Sequence, residues 1–294
     1  MQYCAGWRGI RPARHSAPRV SPEPEYRLSS FTSLRKAPRR PDRAAGWRAW
    51  DFKSGRSTLG LRMFKQSPVV RDYIFPLASA QRIGLVLREK RILGSAFLIG
   101  NRGFALTAKH VLLGSESEPL VGIFALPMGG WFGFGVLGRE VHPTEDVALV
   151  QLDGGPWKSF LRISGSTEHA SGKYRLFGYP DDATYELGTG NQAVVRPDLV
   201  YNEGYIRRRF DGALPSILGR SFYELSQVAG SGASGAPVCK LTAPVWDVMG
   251  VYVGEKLNDR ATSVSYAVRE EAFRDWAPQI LGTTVLAESQ NVAT

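Results

Sequence analysis

With 294 residues, 43% of them apolar, the chain is long enough to bury one large core or two small ones, which excludes a wholly unstructured polymer. Two cysteines exclude a fold built on disulfides, and no apolar run approaches the roughly 20 residues that cross a bilayer as a helix. The formal net charge of +10 points first to a nucleic-acid partner, but its distribution argues otherwise for most of the chain.

Residues 1–62 hold 14 Lys or Arg against four acids (Glu23, Glu25, Asp42, Asp51), so the body keeps 23 of the 37 basic and 23 of the 27 acidic residues and is neutral. This leader is rich in Pro and Ser, as in RPARHSAPRVSPEPEY and RKAPRRPDRAAGWRAW, and sustains no helical or strand period. Disorder is the expectation for it. Three readings stay open: an organelle transit peptide, which the repeated prolines oppose; a basic arm touching nucleic acid or an anionic membrane; and upstream translation preceding a true start at Met63, ranked first. With no short apolar core behind an N-terminal charge, there is no secretion signal to read, and a cytoplasmic location is expected.

From about Ser79 the body reads as short strands separated by Gly, Pro, Asn or Asp. The candidates are RIGLVLR (82–88), SAFLIG (95–100), GFALTA (103–108), VGIFAL (121–126), FGFGVLGREVH (132–142) and DVALVQL (146–152). After a loop around GGPWKSF come KYRLFGYP (173–180), NQAVVRP (191–197), SFYELSQV (221–228), APVCKL (236–241), WDVMGVYVG (246–254) and TSVSYAV (262–268). Many short strands with Gly-rich turns argue for all-β closed or sandwiched structure, and similar strand sets before and after 154–172 suggest two β units. Only EEAFRDWAPQIL (270–281) has helical spacing, with Phe273, Trp276 and Ile280 on one face, and a flexible tail is expected over 282–294. Cys239, in an apolar strand, reads as a small buried hydrophobe.

Serine-based hydrolysis needs a base for the hydroxyl proton, a carboxylate to orient that base, and amide donors for the oxyanion. The body has three histidines. His110 stands where the apolar run FALTA ends, His142 in REVHPTEDVALV, and His169 in the polar loop STEHASG. His110 is the best base because a strand exit gives a rigid support beside a cleft; alone, it reads more often as a core or helix-start histidine. Asp146 opens the run VALVQL and alone reads as a cap at the start of a strand. Ser234, in AGSGASGAPVC, alone reads as part of a turn. The few histidines and the single body cysteine lack ligand spacing, so no metal and no cofactor is expected.

Taken together, His110, Asp146 and Ser234 stand 36 and 88 residues apart in an order that resembles the trypsin-like (chymotrypsin-fold) serine peptidases, in the simple bacterial form without disulfides. TAKHV resembles the family's T-A-x-H motif, EDVALVQL its Asp followed by an apolar strand, and GASGAPV its G-x-S-G-x-P motif. SGKYRLFGYP and SYAVREEAFRDWAPQIL are weaker matches, and the likeness covers about Ser79 to Leu281.

The resemblance implies two packed six-stranded antiparallel barrels, at about 79–155 and 172–268, followed by a C-terminal helix at 270–281. It further implies that His110 is the base, Asp146 orients it, Ser234 attacks a peptide bond through an acyl-enzyme, and the amides of Gly232 and Ser234 bind the oxyanion. The primary pocket would lie at Val228 and along Tyr252, Val253 and Gly254, an apolar floor that argues against strong preference for Lys or Arg. The sequence departs from the digestive members in having Ala233 where they carry an aspartate that pairs with a newly cut N-terminus, so the loop must hold its shape without that ion pair. Ala236 and Lys109 are smaller departures, and solvent is the expected place for the Lys109 ammonium. A protein or peptide substrate is expected. The rivals are an inactive trypsin-like fold serving as a protein-binding module, nucleic-acid contact through the leader, and an esterase with the same triad; the sequence leaves the oligomeric state open. Triad order and the lack of alternating helices argue against the α/β-hydrolase arrangement.

Overall fold

The computed structural model describes residues 70–83, 86–125, 131–187, 194–242, 245–257 and 263–291. These belong to the unit Ala44–Thr294; the unit Met1–Arg43 and the rest of the leader, with the disorder expected of it, lie outside the described residues.

After one 3-10 turn at Val70–Asp72 come β1 (Ile74–Ile83), β2 (Val86–Ile99), β3 (Phe104–Thr107), the one-turn helix α1 (Lys109–Leu112), β4 (Leu120–Ala125), β5 (Trp131–Val141) and β6 (Ala148–Leu152). The six strands close into a barrel with the neighbour order β1-β2-β3-β6-β5-β4, sealed where Leu77 and Ser79 of β1 pair Gly122 and Leu120 of β4. Side chains on both faces of its strands, such as Ile74, Phe75, Leu77, Phe97, Leu98 and Phe104, are fully buried, each contributing roughly 1.5–3 kcal/mol by leaving water.

The chain continues through β7 (Leu161–Ile163), β8 (Lys173–Gly178), β9 (Thr184–Leu187), β10 (Val194–Pro197), β11 (Val200–Asp211), β12 (Ser221–Leu225), β13 (Pro237–Thr242), β14 (Val245–Leu257) and β15 (Ser263–Arg269). Six of these close a second antiparallel barrel in the order β8-β11-β12-β15-β14-β13, with β13 pairing both β14 and β8. Numbered within itself, this barrel repeats the winding of the first: 1-2-3-6-5-4. The two-unit expectation, which rested on strand number, thus has a topological basis. Strand β7 lies outside the closure, parallel to β14, and β9–β10 is a separate hairpin. Strand β8 shows why the pattern was legible: Tyr174, Leu176 and Gly178 are buried, and Lys173, Arg175 and Phe177 alternate with them toward the outside.

Two expectations need correction here, and one strand lies where none was expected. The strand expected at 82–88 is a hairpin corner, with Arg82 and Ile83 ending β1 and Val86 starting β2, and β1 itself begins upstream of Ser79 at Ile74. The unexpected strand is β11: it carries too little apolar alternation to be read, because Gly204 and Ile206 are its only buried residues, while Tyr201, Tyr205, Arg207 and Arg208 face solvent. The helix expected at 270–281 is a single 3-10 turn, Glu270–Ala272, followed by turns. Pro278 lacks an amide and disfavours helical backbone at Ala277, while Phe273 and Trp276 pack against the barrel core.

The C-terminal helix is instead α2 (Val285–Gln290), inside the segment expected to be flexible. Thr284 caps it by accepting the Ala287 amide at 3.2 Å, Ser289 Oγ accepts the Ile163 amide at 3.0 Å, and the buried Glu288 carboxylate meets the Arg102 guanidinium. Among the described residues no helix is long and apolar enough to cross a membrane.

Candidate active site

The pairing of β3 with β6 explains how two residues 36 positions apart meet. Thr107, the last residue of β3, lies opposite Ala148, the first of β6, so the chain leaving β3 and the chain approaching β6 emerge at the same end of the first barrel. His110 sits on α1, whose Val111 and Leu112 are buried as anchors, and Asp146 lies just before β6. The Asp146 carboxylate, only 1% exposed, accepts the His110 amide at 2.9 Å through Oδ1 and meets His110 Nδ1 at 2.7 Å through Oδ2. A carboxylate holding both the backbone and the ring of one histidine fixes the tautomer, with the proton on Nδ1 and an accepting Nε2 on the open side. The His110 side chain is 35% exposed.

The turn that presents Asp146 is built by His142, whose Nδ1 accepts the amides of Thr144 (3.3 Å) and Glu145 (3.0 Å). That role requires a neutral ring, and burial, opposed by the Glu145 charge and aided by that of Lys109, pushes the His142 pKa down. Lys109 is not free in solvent as expected: its Nζ donates to the His142 carbonyl at 3.1 Å, tying α1 to the same turn. The buried Glu145 accepts the amides of Arg220 (2.9 Å) and Ser221 (3.3 Å), anchoring the turn to β12 of the second barrel. His169 is exposed in the β7–β8 connection and does not join these residues.

Ser234 lies before β13 in a loop with left-handed backbone at Gly230 (φ +86°), Gly232 (+90°) and Gly235 (+90°). The loop docks on the strands that lead to His110. The Ser234 carbonyl accepts the Ser95 amide at 2.8 Å, and a Cβ built on Gly235 would lie 2.1 Å from the Ser95 oxygen and 2.3 Å from Thr107 Oγ1. A Cβ on Gly94 would meet both the Ser234 carbonyl and Val111 at 2.7 Å, so the serine loop and the histidine helix converge on one point of β2.

Peptide planarity then orients the amides. The Ser231 carbonyl accepts the Asp181 amide at 2.7 Å and the Ala233 carbonyl accepts the Ala236 amide at 2.9 Å. In a trans peptide the N–H points opposite to its C=O, so the amides of Gly232 and Ser234 are turned away from these partners. Among the described residues neither of the two amides donates a hydrogen bond. Ala233 is fully buried beside Gly178.

Near the expected pocket, Asn202 Nδ2 donates to the Val228 carbonyl at 2.9 Å, and the Ala229 amide donates to the Tyr252 hydroxyl at 3.2 Å. Tyr252 is buried in the second barrel, its hydroxyl pushed up to about 12 by that burial, and its backbone accepts from Gly235 at 2.8 Å and donates to Ala236 at 2.9 Å. Val253 lies at a register shift in β14, and Gly254 (φ +134°) borders open space. The fold therefore brings Val228 and Tyr252 to one locality through Ala229. Four residues of this region escape a sequence reading: Ser95, Glu145, Asp181 and Asn202 each resemble ordinary strand or turn residues, and only their long-range partners distinguish them. Burial pushes the Cys239 thiol up, as expected of a buried hydrophobe.

No curated protein matches the chain significantly. Among solved structures it is similar to the HtrA-type protease AlgW with decapeptide, at 16% identity and a TM-score of 0.47, over 69% of this chain but only 62% of that one. It is also similar to the Rv3671c protease from M. tuberculosis in its active form (19% identity, 76% of this chain and 82% of that one, TM-score 0.49). The MamO protease domain from Magnetospirillum magneticum is a third likeness (14% identity, 69% and 94% of the two chains, TM-score 0.48). Residues 94–251, more than half of the chain, match the trypsin-like peptidase domain, and the protein belongs to that family.

Proposed function

We propose that the protein is a serine endopeptidase in which His110, Asp146 and Ser234 form the catalytic triad. Ser234 Oγ attacks the scissile carbonyl carbon while His110 Nε2 takes the hydroxyl proton, and Asp146 stabilises the resulting imidazolium. The oxyanion receives the amides of Gly232 and Ser234. Collapse of the tetrahedral intermediate breaks the C–N bond, and His110 returns the proton to the leaving amine. Water, deprotonated by the same ring, then hydrolyses the acyl-enzyme and restores Ser234. The observation carrying this reading is the bidentate hold of a buried Asp146 on His110 beside a glycine-framed Ser234 loop with two undonated amides. A catalytically inactive binding protein has no need of such a fixed tautomer.

The substrate class is a peptide or protein. Neither Val228 nor Tyr252 supplies a carboxylate, which favours uncharged over Lys or Arg side chains at the bond's acyl position.

The test is labelling with a fluorophosphonate probe. Wild type is expected to label, and Ser234→Ala and His110→Ala are expected to lose labelling and peptide hydrolysis together. Labelling that survives Ser234→Ala would remove the nucleophile assignment.

A further inference from the structure

We propose that Ser95, on β2 of the first barrel, is a positioning residue that sets the oxyanion loop of the second; the inference rests on the serine-peptidase reading above. Ser95 is fully buried, and its hydroxyl and amide bond across the barrel boundary while its carbonyl serves its own barrel. Its hydroxyl donates to the Gly232 carbonyl at 3.0 Å and accepts the Tyr179 amide at 2.9 Å. Its own amide donates to the Ser234 carbonyl at 2.8 Å, and its carbonyl accepts Thr107 Oγ1 at 2.7 Å. One residue thus touches both loop residues whose amides face the oxyanion, the chain leaving β8, and the strand leading to His110.

The side chain and the backbone of Ser95 do separable things. The backbone bonds dock the loop and remain in any variant. The hydroxyl holds the carbonyl end of the Gly232–Ala233 peptide plane, between the two oxyanion amides, turned toward β2, while the Ala233 amide at the other end donates to the Gly230 carbonyl at 3.3 Å within the loop. Without it, the Gly232 carbonyl and the Tyr179 amide lose their shared partner in a buried setting, and that plane keeps only the long, local Ala233–Gly230 bond to hold it. The family members with an aspartate before the nucleophile hold this loop with an ion pair. Here that position is Ala233, and the Ser95 hydroxyl, with the Asp181 amide on the preceding peptide, takes over the task.

The experiment compares full-length wild type, Ser95→Ala and Ser95→Cys, with Ser159→Ala as a control. Ser159 is an equally buried serine whose hydroxyl also donates to a β2 carbonyl, that of Leu98, and accepts a backbone amide, that of Leu161, away from the site. Ser95→Ala is expected to lower kcat and the fluorophosphonate labelling rate roughly 10- to 100-fold with KM within about twofold, and to weaken a peptide-aldehyde inhibitor by the same factor as kcat. The pH midpoint of kcat/KM is expected to stay put, since the His110–Asp146 pair is untouched. Ser95→Cys, a near-isosteric weak donor, is expected to fall between wild type and Ser95→Ala. Ser159→Ala should lose comparable stability without losing kcat.

Kinetics of Ser95→Ala equal to wild type, a change in KM alone, or an equal kcat loss in Ser159→Ala would overturn the proposal while leaving the peptidase reading intact. If Ser95→Ala does not fold, Ser95→Cys decides by the same criteria. Wild type that neither labels nor cleaves would overturn the peptidase reading and this inference with it.

Discussion

At the scale of single residues, Asp146 carries more than one duty, and the duties can be separated. Oδ1 accepts the His110 amide and Oδ2 meets the ring, so one oxygen places the helix turn and the other places the imidazole proton. In Asp146→Asn one oxygen can still serve the amide, but the group facing Nδ1 becomes neutral and the imidazolium loses its counter-charge. The expected result is a fall in kcat on the order of 10³–10⁴ with little change in KM, measured by steady-state hydrolysis of a peptide substrate. A loss smaller than tenfold would count against the carboxylate's role. The types of these residues were legible in TAKHV, EDVALV and GASGAPV, since chemistry demands them. Ser95 and Asp181 were not, because a serine in a strand or an aspartate after a proline has many ordinary uses, and only contacts over 84 and 50 residues reveal theirs.

At the scale of elements, the segment after β15 was the least legible part of the fold. Its apolar spacing fits a helix, yet packing of Phe273 and Trp276 and the break at Pro278 override local periodicity. The same segment buries Glu270, which accepts the Tyr223 hydroxyl at 3.1 Å and lies next to Glu271, itself held by Thr167, Arg209 and Arg269. Burial first, and then the Glu271 charge, raises the Glu270 carboxyl to about 7. A glutamate in the unfolded chain ionises near 4.3, so between about pH 4.5 and 7 the folded protein holds the extra proton and stability falls as pH rises through that window. Glu270→Gln, neutral at every pH, lacks this slope. Its stability relative to wild type is expected to increase by roughly 1–3 kcal/mol between pH 4.5 and 8, read from denaturant unfolding at a series of pH values. Parallel pH profiles for the two proteins would contradict the assignment.

At the scale of the whole molecule, two barrels of identical winding meet along β2, β3, the turn at Glu145 and the serine loop, and every proposed catalytic residue lies on a connection between strands at that meeting. A rigid pair of closed sheets holds the loops from both sides, and the serine loop is pinned by Ser95, by the Asp181 amide and by the burial of Ala233. Ala233 leaves the loop no aspartate to pair with a newly cut N-terminus, so a protein starting at Met63 is expected to label with fluorophosphonate at the full-length rate, within about twofold. A large rise in rate on truncation would mean that the leader restrains the site and that the loop is not formed by the body alone.

The amino-acid sequence by itself determined the class and the candidates: the residues proposed as base, orienting acid and nucleophile, the glycines that permit a left-handed loop, and the short alternating strands of an all-β body. Those features are local, set by side-chain type and by a period of two. The tertiary structure alone decided which barrel each strand closes, where the C-terminal helix falls, and which groups hold the Ser234 loop around Ala233. These depend on pairings such as Thr107 with Ala148 and Ser95 with Gly232, whose partners are distant in the chain and carry no local signature.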